Sequence, residues 1–137
     1  MSLPHSQGFR PPFPTLAVHL RSGDTRIGPF VALLDTGADV TFVPVFLLEK
    51  IDALEAFTAR VRSHFGDSIP AQLYVVAFDV EDVRLASTYV VADEDGDDII
   101  LGRDVLNKLP LFLDGPQLHT YLLNDAVVKR WRDRLKK

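Results

Sequence analysis

The stretch Ala32-Leu33-Leu34-Asp35-Thr36-Gly37-Ala38-Asp39 holds the residues best suited to chemistry. A continuous apolar run, residues 30–34, leads straight into Asp35 and sets its carboxyl group at the edge of a buried region. Thr36 adds a hydroxyl, and Gly37 lets backbone approach the carboxylate with no side chain between them. The chemistry open to such a group is proton transfer, and the plain alternative is an Asp that bonds its own turn. Taken alone, the triplet suits both. A phosphotransfer loop of the D-x-D-x-T kind is excluded, because Asp35 and Asp39 stand four apart instead of two. The acidic loop Asp93-Glu94-Asp95-Gly96-Asp97-Asp98 does not fit an EF-hand: with Gly96 as the turn glycine, Val91 and Gly102 would fill two ligand positions. It reads as a solvated loop. His5, His19, His64 and His119 show no ligand spacing and read as surface or turn residues, and the chain has no cysteine.

Short strands must position these residues. Residues 1–14 hold four of the nine prolines and read as an extended arm. Residues 15–20 suit a strand, Ser22-Gly23-Asp24 a turn, and residues 30–34 a strand buried on both faces. Residues 40–43 form a second short β-prone run, stopped by Pro44. Apolar residues at 46, 47, 51, 54 and 57 predict a short helix over 46–57. Residues 58–61 and 72–80 suit a hairpin around Gly66, with Leu73, Val75 and Ala77 on one face. Strands are predicted at 84–92, 99–101, 111–113 and 118–123, and about two helical turns at 104–109. The class is mostly β with one or two short helices.

The loop from Ala32 to Asp39 resembles the active-site loop of aspartic proteases, in particular the retroviral (retropepsin-like) kind. Ile99-Ile100-Leu101-Gly102-Arg103-Asp104 resembles that family's second hallmark, apolar residues followed by Gly-Arg and a short helix. Together the two motifs frame residues 15–123. The resemblance implies a retropepsin-like acid-protease fold, a closed barrel-like lobe whose active site forms in a homodimer. It implies Asp35 as the catalytic residue, Thr36 and Gly37 as supports of the loop, and an Arg103–Asp39 ion pair that locks it. Ala38, Asp39, His64, Phe65, Gly66 and Ile100 would contact a peptide or protein substrate, with no metal or cofactor. The sequence holds one Asp-Thr-Gly, so a pair of such carboxyls requires a second copy. The hairpin tip His64-Phe65-Gly66-Asp67-Ser68 departs from the family's glycine-rich flap. A second reading is therefore a retropepsin-like dimer that binds peptides, or serves in assembly, without cutting them.

Composition bounds these readings. At 137 residues with 47% hydrophobic and 25% charged residues, the chain suits one folded domain instead of a disordered segment. Residues 129–137 hold six of the fifteen basic residues and one of the nineteen acidic ones, which leaves residues 1–128 at −9. An acidic body with a short basic tail argues against nucleic acid as a partner. Residues 124–137 form a basic amphipathic tail, with Asn124 or Asp125 as a helix cap and Val127, Trp131 and Leu135 as a stripe that docks on the body. No segment reads as a signal peptide or a membrane span, so a cytoplasmic protein with no membrane partner is expected.

Overall fold

The computed structural model describes residues 2–6, 8–62 and 66–136. In chain order it runs β1 (Ser2–Pro4), β2 (Thr15–Ser22), β3 (Thr25–Leu34), β4 (Phe42–Pro44), α1 (Val45–Lys50) and β5 (Leu54–Arg62). It continues through β6 (Ser68–Val80), β7 (Val83–Arg84), β8 (Thr88–Asp93), β9 (Ile99–Leu101) and α2 (Arg103–Leu106). The last elements are β10 (Leu111–Asp114), β11 (His119–Leu122) and α3 (Asp125–Leu135).

Six strands close into a ring in the order β2-β3-β9-β4-β8-β6, and β6 returns to β2 through Val18↔Val80 and Leu20↔Phe78. Closure removes open edges and turns every second residue toward one interior. Leu16, Val18 and Leu20 of β2 and Val76, Phe78 and Val80 of β6 are fully buried there. Leu47 and Leu48 of α1 and Val105 and Leu106 of α2 pack into the same core. The fold is thus mostly β, a closed barrel with a few short helices. β5 extends the sheet as a hairpin with β6, while β1, β11 and β10 form a separate antiparallel sheet.

Several sequence expectations are corrected. The helix expected over 46–57 ends at Lys50, and Leu54 and Phe57 are exposed residues of β5. Their helical spacing is coincidental, because β5 carries a register shift between Glu55 and Thr58. Residues 30–34 are not buried throughout: Val31 is exposed, and burial begins at Ala32, where β3 gains β9 on its second side. The run 84–92 splits into β7 and β8, and α2 makes one turn instead of two. On β6, Leu73, Val75 and Ala77 do share one face, and the fully buried Val76, Phe78 and Val80 lie on the other. His5 is buried, not a surface residue.

Asn124 caps α3, its Oδ1 accepting the Val127 N–H at 2.9 Å. The apolar stripe docks only in part. Trp131 meets Phe112 edge to face at 5.4 Å, whereas Leu135 is 86% exposed. Among the described residues, no helix is long and apolar enough to cross a membrane.

Candidate active site

Parallel pairing brings the two chemical motifs together. β3 and β9 run side by side in register, Ala32↔Ile99 through Leu34↔Leu101, so both strands end at the same place. The Asp35 N–H extends the ladder by donating to the Leu101 carbonyl at 2.9 Å. Asp35 and Gly102-Arg103, far apart in sequence, therefore leave the barrel next to each other.

Beyond that point the chain turns tightly. The Ala38 N–H donates to the Asp35 carbonyl at 3.1 Å, and the Gly37 N–H donates to Asp35 Oδ1 at 2.9 Å. The half-buried Asp35 carboxylate thus has one oxygen held by backbone, and a Cβ at Gly37 would sit 3.1 Å from it, tighter than most such contacts. Thr36 is exposed, and its hydroxyl makes no hydrogen bond among the described residues.

Arg103 clamps this loop at three points. Its N–H donates to the Ala38 carbonyl at 2.9 Å, its Nη1 donates to the Thr36 carbonyl at 2.7 Å, and its Nη2 pairs with Asp39 Oδ1. The Asp39 and Arg103 side chains are 80% and 44% exposed, so the ion pair itself contributes only about 0.2–1 kcal/mol. Its effect is on shape: a planar guanidinium fixes a carbonyl and a carboxylate of one loop at once.

Beneath the loop lies a polar hub that the sequence did not single out. Thr41 is fully buried; its Oγ1 donates to Asp104 Oδ1 at 2.8 Å and accepts the Gly102 N–H at 3.0 Å. Its own N–H donates to Asp104 Oδ2 at 3.2 Å, and its carbonyl accepts from Val91 at 2.9 Å. Close approach of the two segments explains Gly102: a Cβ there would fall onto the Val40 carbonyl and 3.0 Å from that of Ala38. The available signal was the pairing of a polar Thr41 between apolar residues with Asp104 after Gly-Arg.

A cleft of about 780 Å³ opens between this loop and the β5–β6 hairpin. Gly37, Ala38, Asp39, Val40 and Phe42 line one side, and Arg60, Val61, Arg62, Ser68 and Ile69 the other. Of the sequence candidates, Gly37, Ala38 and Asp39 line the cleft, and Asp35 stands beside them, bonded to Gly37. Ile100 is half-buried in β9 opposite Phe42 and is not among the lining residues. Gly66 is exposed in the hairpin turn at φ 85°, also outside the cleft lining, while His64 and Phe65 lie outside the described residues. Val40, Phe42, Arg60, Val61, Arg62, Ser68 and Ile69 are lining residues that sequence reading missed, because strand pairing alone brings them to the loop.

A family profile described as aspartyl protease matches residues 18–105, from β2 into α2, and takes in both Asp35 and Arg103. The chain belongs to the aspartyl protease family. Among solved structures, this aspartyl protease is similar to a retropepsin-like aspartic protease from Rickettsia conorii, at 12% identity and a TM-score of 0.57 over 90% of this chain and 92% of that one. At that identity the likeness speaks for the fold, which is retropepsin-like. The EIAV protease in complex with an inhibitor is similar at 22% identity and a TM-score of 0.49, over 70% of this chain and 86% of that one. So is the retroviral protease-like domain of Ddi1 from Leishmania major, at 16% identity and 0.49, over 81% and 90%. No curated protein matches the chain.

Proposed function

We propose that this aspartyl protease is an endopeptidase that works as a homodimer, with Asp35 from each copy forming the catalytic pair. The observation that carries this reading is the Asp35 loop itself. One half-buried carboxylate is held by the Gly37 N–H, braced through Arg103 and set beside a cleft, in a chain with a single Asp-Thr-Gly. Two carboxyls brought together in this way share one proton, since like charges in contact cannot both ionise. The ionised Asp35 takes a proton from water as that water attacks the scissile carbonyl, and the protonated Asp35 donates to the carbonyl oxygen. Collapse of the resulting diol breaks the C–N bond: the amine leaves with the proton from one Asp35, while a diol hydroxyl returns a proton to the other. No covalent link to the enzyme forms. The Thr36 hydroxyl, without a partner among the described residues of its own chain, is available to interlock with its twin. Gly37, Ala38 and Asp39 present backbone and carboxylate to an extended peptide, which the β5–β6 hairpin covers.

The test is cleavage of a mixed peptide library near pH 5 by wild type and by Asp35→Asn, with sedimentation to follow pairing. Wild type is expected to cut with specific activity that rises with protein concentration, and Asp35→Asn to lose at least about a thousandfold, a scale set by removal of a group that transfers a proton in the transition state. If the two proteins are equally inactive while dimeric and peptide-bound, the binding-module reading replaces this one.

A further inference from the structure

The cleft of this acidic chain is cationic. Arg60 and Arg62 both line it, two residues apart on β5 and so on the same face of the strand. Ser68 pairs with Arg62 across the hairpin, and Arg60 reaches diagonally to that same serine. Its Nε donates to Ser68 Oγ at 3.0 Å and its Nη2 to the Ser68 carbonyl at 2.7 Å. Arg60 is therefore held at the serine that pairs with Arg62 along the backbone, and Arg62 itself is free of hydrogen bonds and ion pairs among the described residues. Neither meets a carboxylate among the described residues. The sole carboxylate among the lining residues, Asp39, is taken by Arg103. The lining residues carry one positive charge in excess, and Arg103 and Asp35 beside them offset each other, in a chain whose formal net charge is −4. Of the remaining lining residues, Ala38, Val40 and Phe42 across the cleft are apolar, while Val61 and Ile69, paired across the hairpin, alternate with the arginines and belong to its other face.

From this we infer that the cleft selects peptide segments that place an acidic side chain, Asp or Glu, against Arg60 and Arg62 beside apolar residues. The inference rests on the proposed reading of the cleft as a peptide site and adds the class of peptide. A guanidinium offers a carboxylate two parallel N–H donors, and Arg60 already has its rotamer fixed, so less freedom is lost on binding.

The test separates binding from cutting. Immobilised Asp35→Asn protein is offered a degenerate peptide library at low and high salt, and retained peptides are sequenced by mass spectrometry. Asp and Glu are expected to be enriched over Asn and Gln by about three- to tenfold at low salt, in line with one or two partly exposed ion pairs, and less at high salt. Arg60→Glu with Arg62→Glu reverses the bias. Arg62→Gln, which breaks no bond of the hairpin, lowers it by itself, and Lys108→Glu, at an exposed cation outside the cleft, leaves it unchanged. Equal retention of acidic and neutral peptides, or a bias untouched by charge reversal, overturns the inference. Wild-type protein that retains acidic peptides but cuts none sinks the protease reading and leaves this one standing; cutting without acidic bias does the opposite.

Discussion

Thr41 has no exposed surface, yet its hydroxyl and N–H bind both oxygens of Asp104 and its oxygen receives the Gly102 N–H. A buried group left without its partner forfeits the full cost of its desolvation, more than the net worth of the bond. Thr41→Val keeps the shape and removes both hydroxyl bonds, so it is expected to destabilise the fold by about 1–3 kcal/mol. Thr41→Ser, which retains the oxygen, should cost under about 1 kcal/mol, the scale of one small apolar group. Urea unfolding of the two variants checks the difference, and a Thr41→Val variant as stable as wild type beside a destabilised Thr41→Ser would mean that the methyl group matters and the hydroxyl does not. The same residue shows where reading a sequence stops. Asp35, Asp39 and Arg103 stand out because Asp-Thr-Gly and Gly-Arg are local patterns, whereas Thr41 is an ordinary threonine until tertiary pairing buries it beside Asp104.

Among the elements, α1 is the instructive one. Asp52, at φ 50°, ends it: its N–H donates to the Glu49 carbonyl at 3.1 Å, and the Ala53 N–H donates to that of Leu48 at 2.9 Å. This pair of bonds is a Schellman stop with Asp where glycine is usual. No glycine marks the end, so the apolar spacing through Phe57 predicts a longer helix than the chain makes. Strands that alternate, such as β2, or that end at a sharp signal, such as β9 at Gly102, are legible in the sequence. β5 is not, because its register shift breaks the period of two on which such reading depends. Asp52→Gly relieves a left-handed backbone that side chains resist, and is expected to stabilise the protein by about 0.5–1 kcal/mol. A thermal midpoint that falls instead would show that the Asp52 side chain contributes a bond worth more than the backbone strain.

At the scale of the whole molecule, the barrel depends on the seam where β6 returns to β2. A buried carboxylate sits at that seam: Asp79, 6% exposed, lies opposite His19. Arg21 of β2 bonds its Oδ1 at 2.8 Å, Arg26 of β3 bonds its Oδ2 at 2.9 Å, and Arg84 of β7 stands 3.5 Å from Oδ1. One carboxylate thus ties four strands. Burial alone would raise its pKa, but the hydrogen bonds from Arg26 and Arg21, with the charges of Arg21 and Arg84, outweigh burial and hold it below the ordinary carboxylate range. A carboxyl whose pKa is lower folded than unfolded stabilises the fold fully above the unfolded value, about 3.9, and loses that contribution as the pH falls through the folded value. Asp79→Asn keeps the shape and removes the charge, so at pH 7 it is expected to cost about 1.5–3 kcal/mol, the range for hydrogen bonds to charged groups. The gap between wild type and variant should hold from pH 7 to about 5, narrow below about 4, and close once Asp79 itself is protonated in the folded protein. Every other carboxyl titrates in both proteins, so the difference between their denaturation curves isolates this one. A gap that stays constant from pH 7 to 2 would mean that Asp79 fills space at the seam and that its charge does not hold the barrel shut.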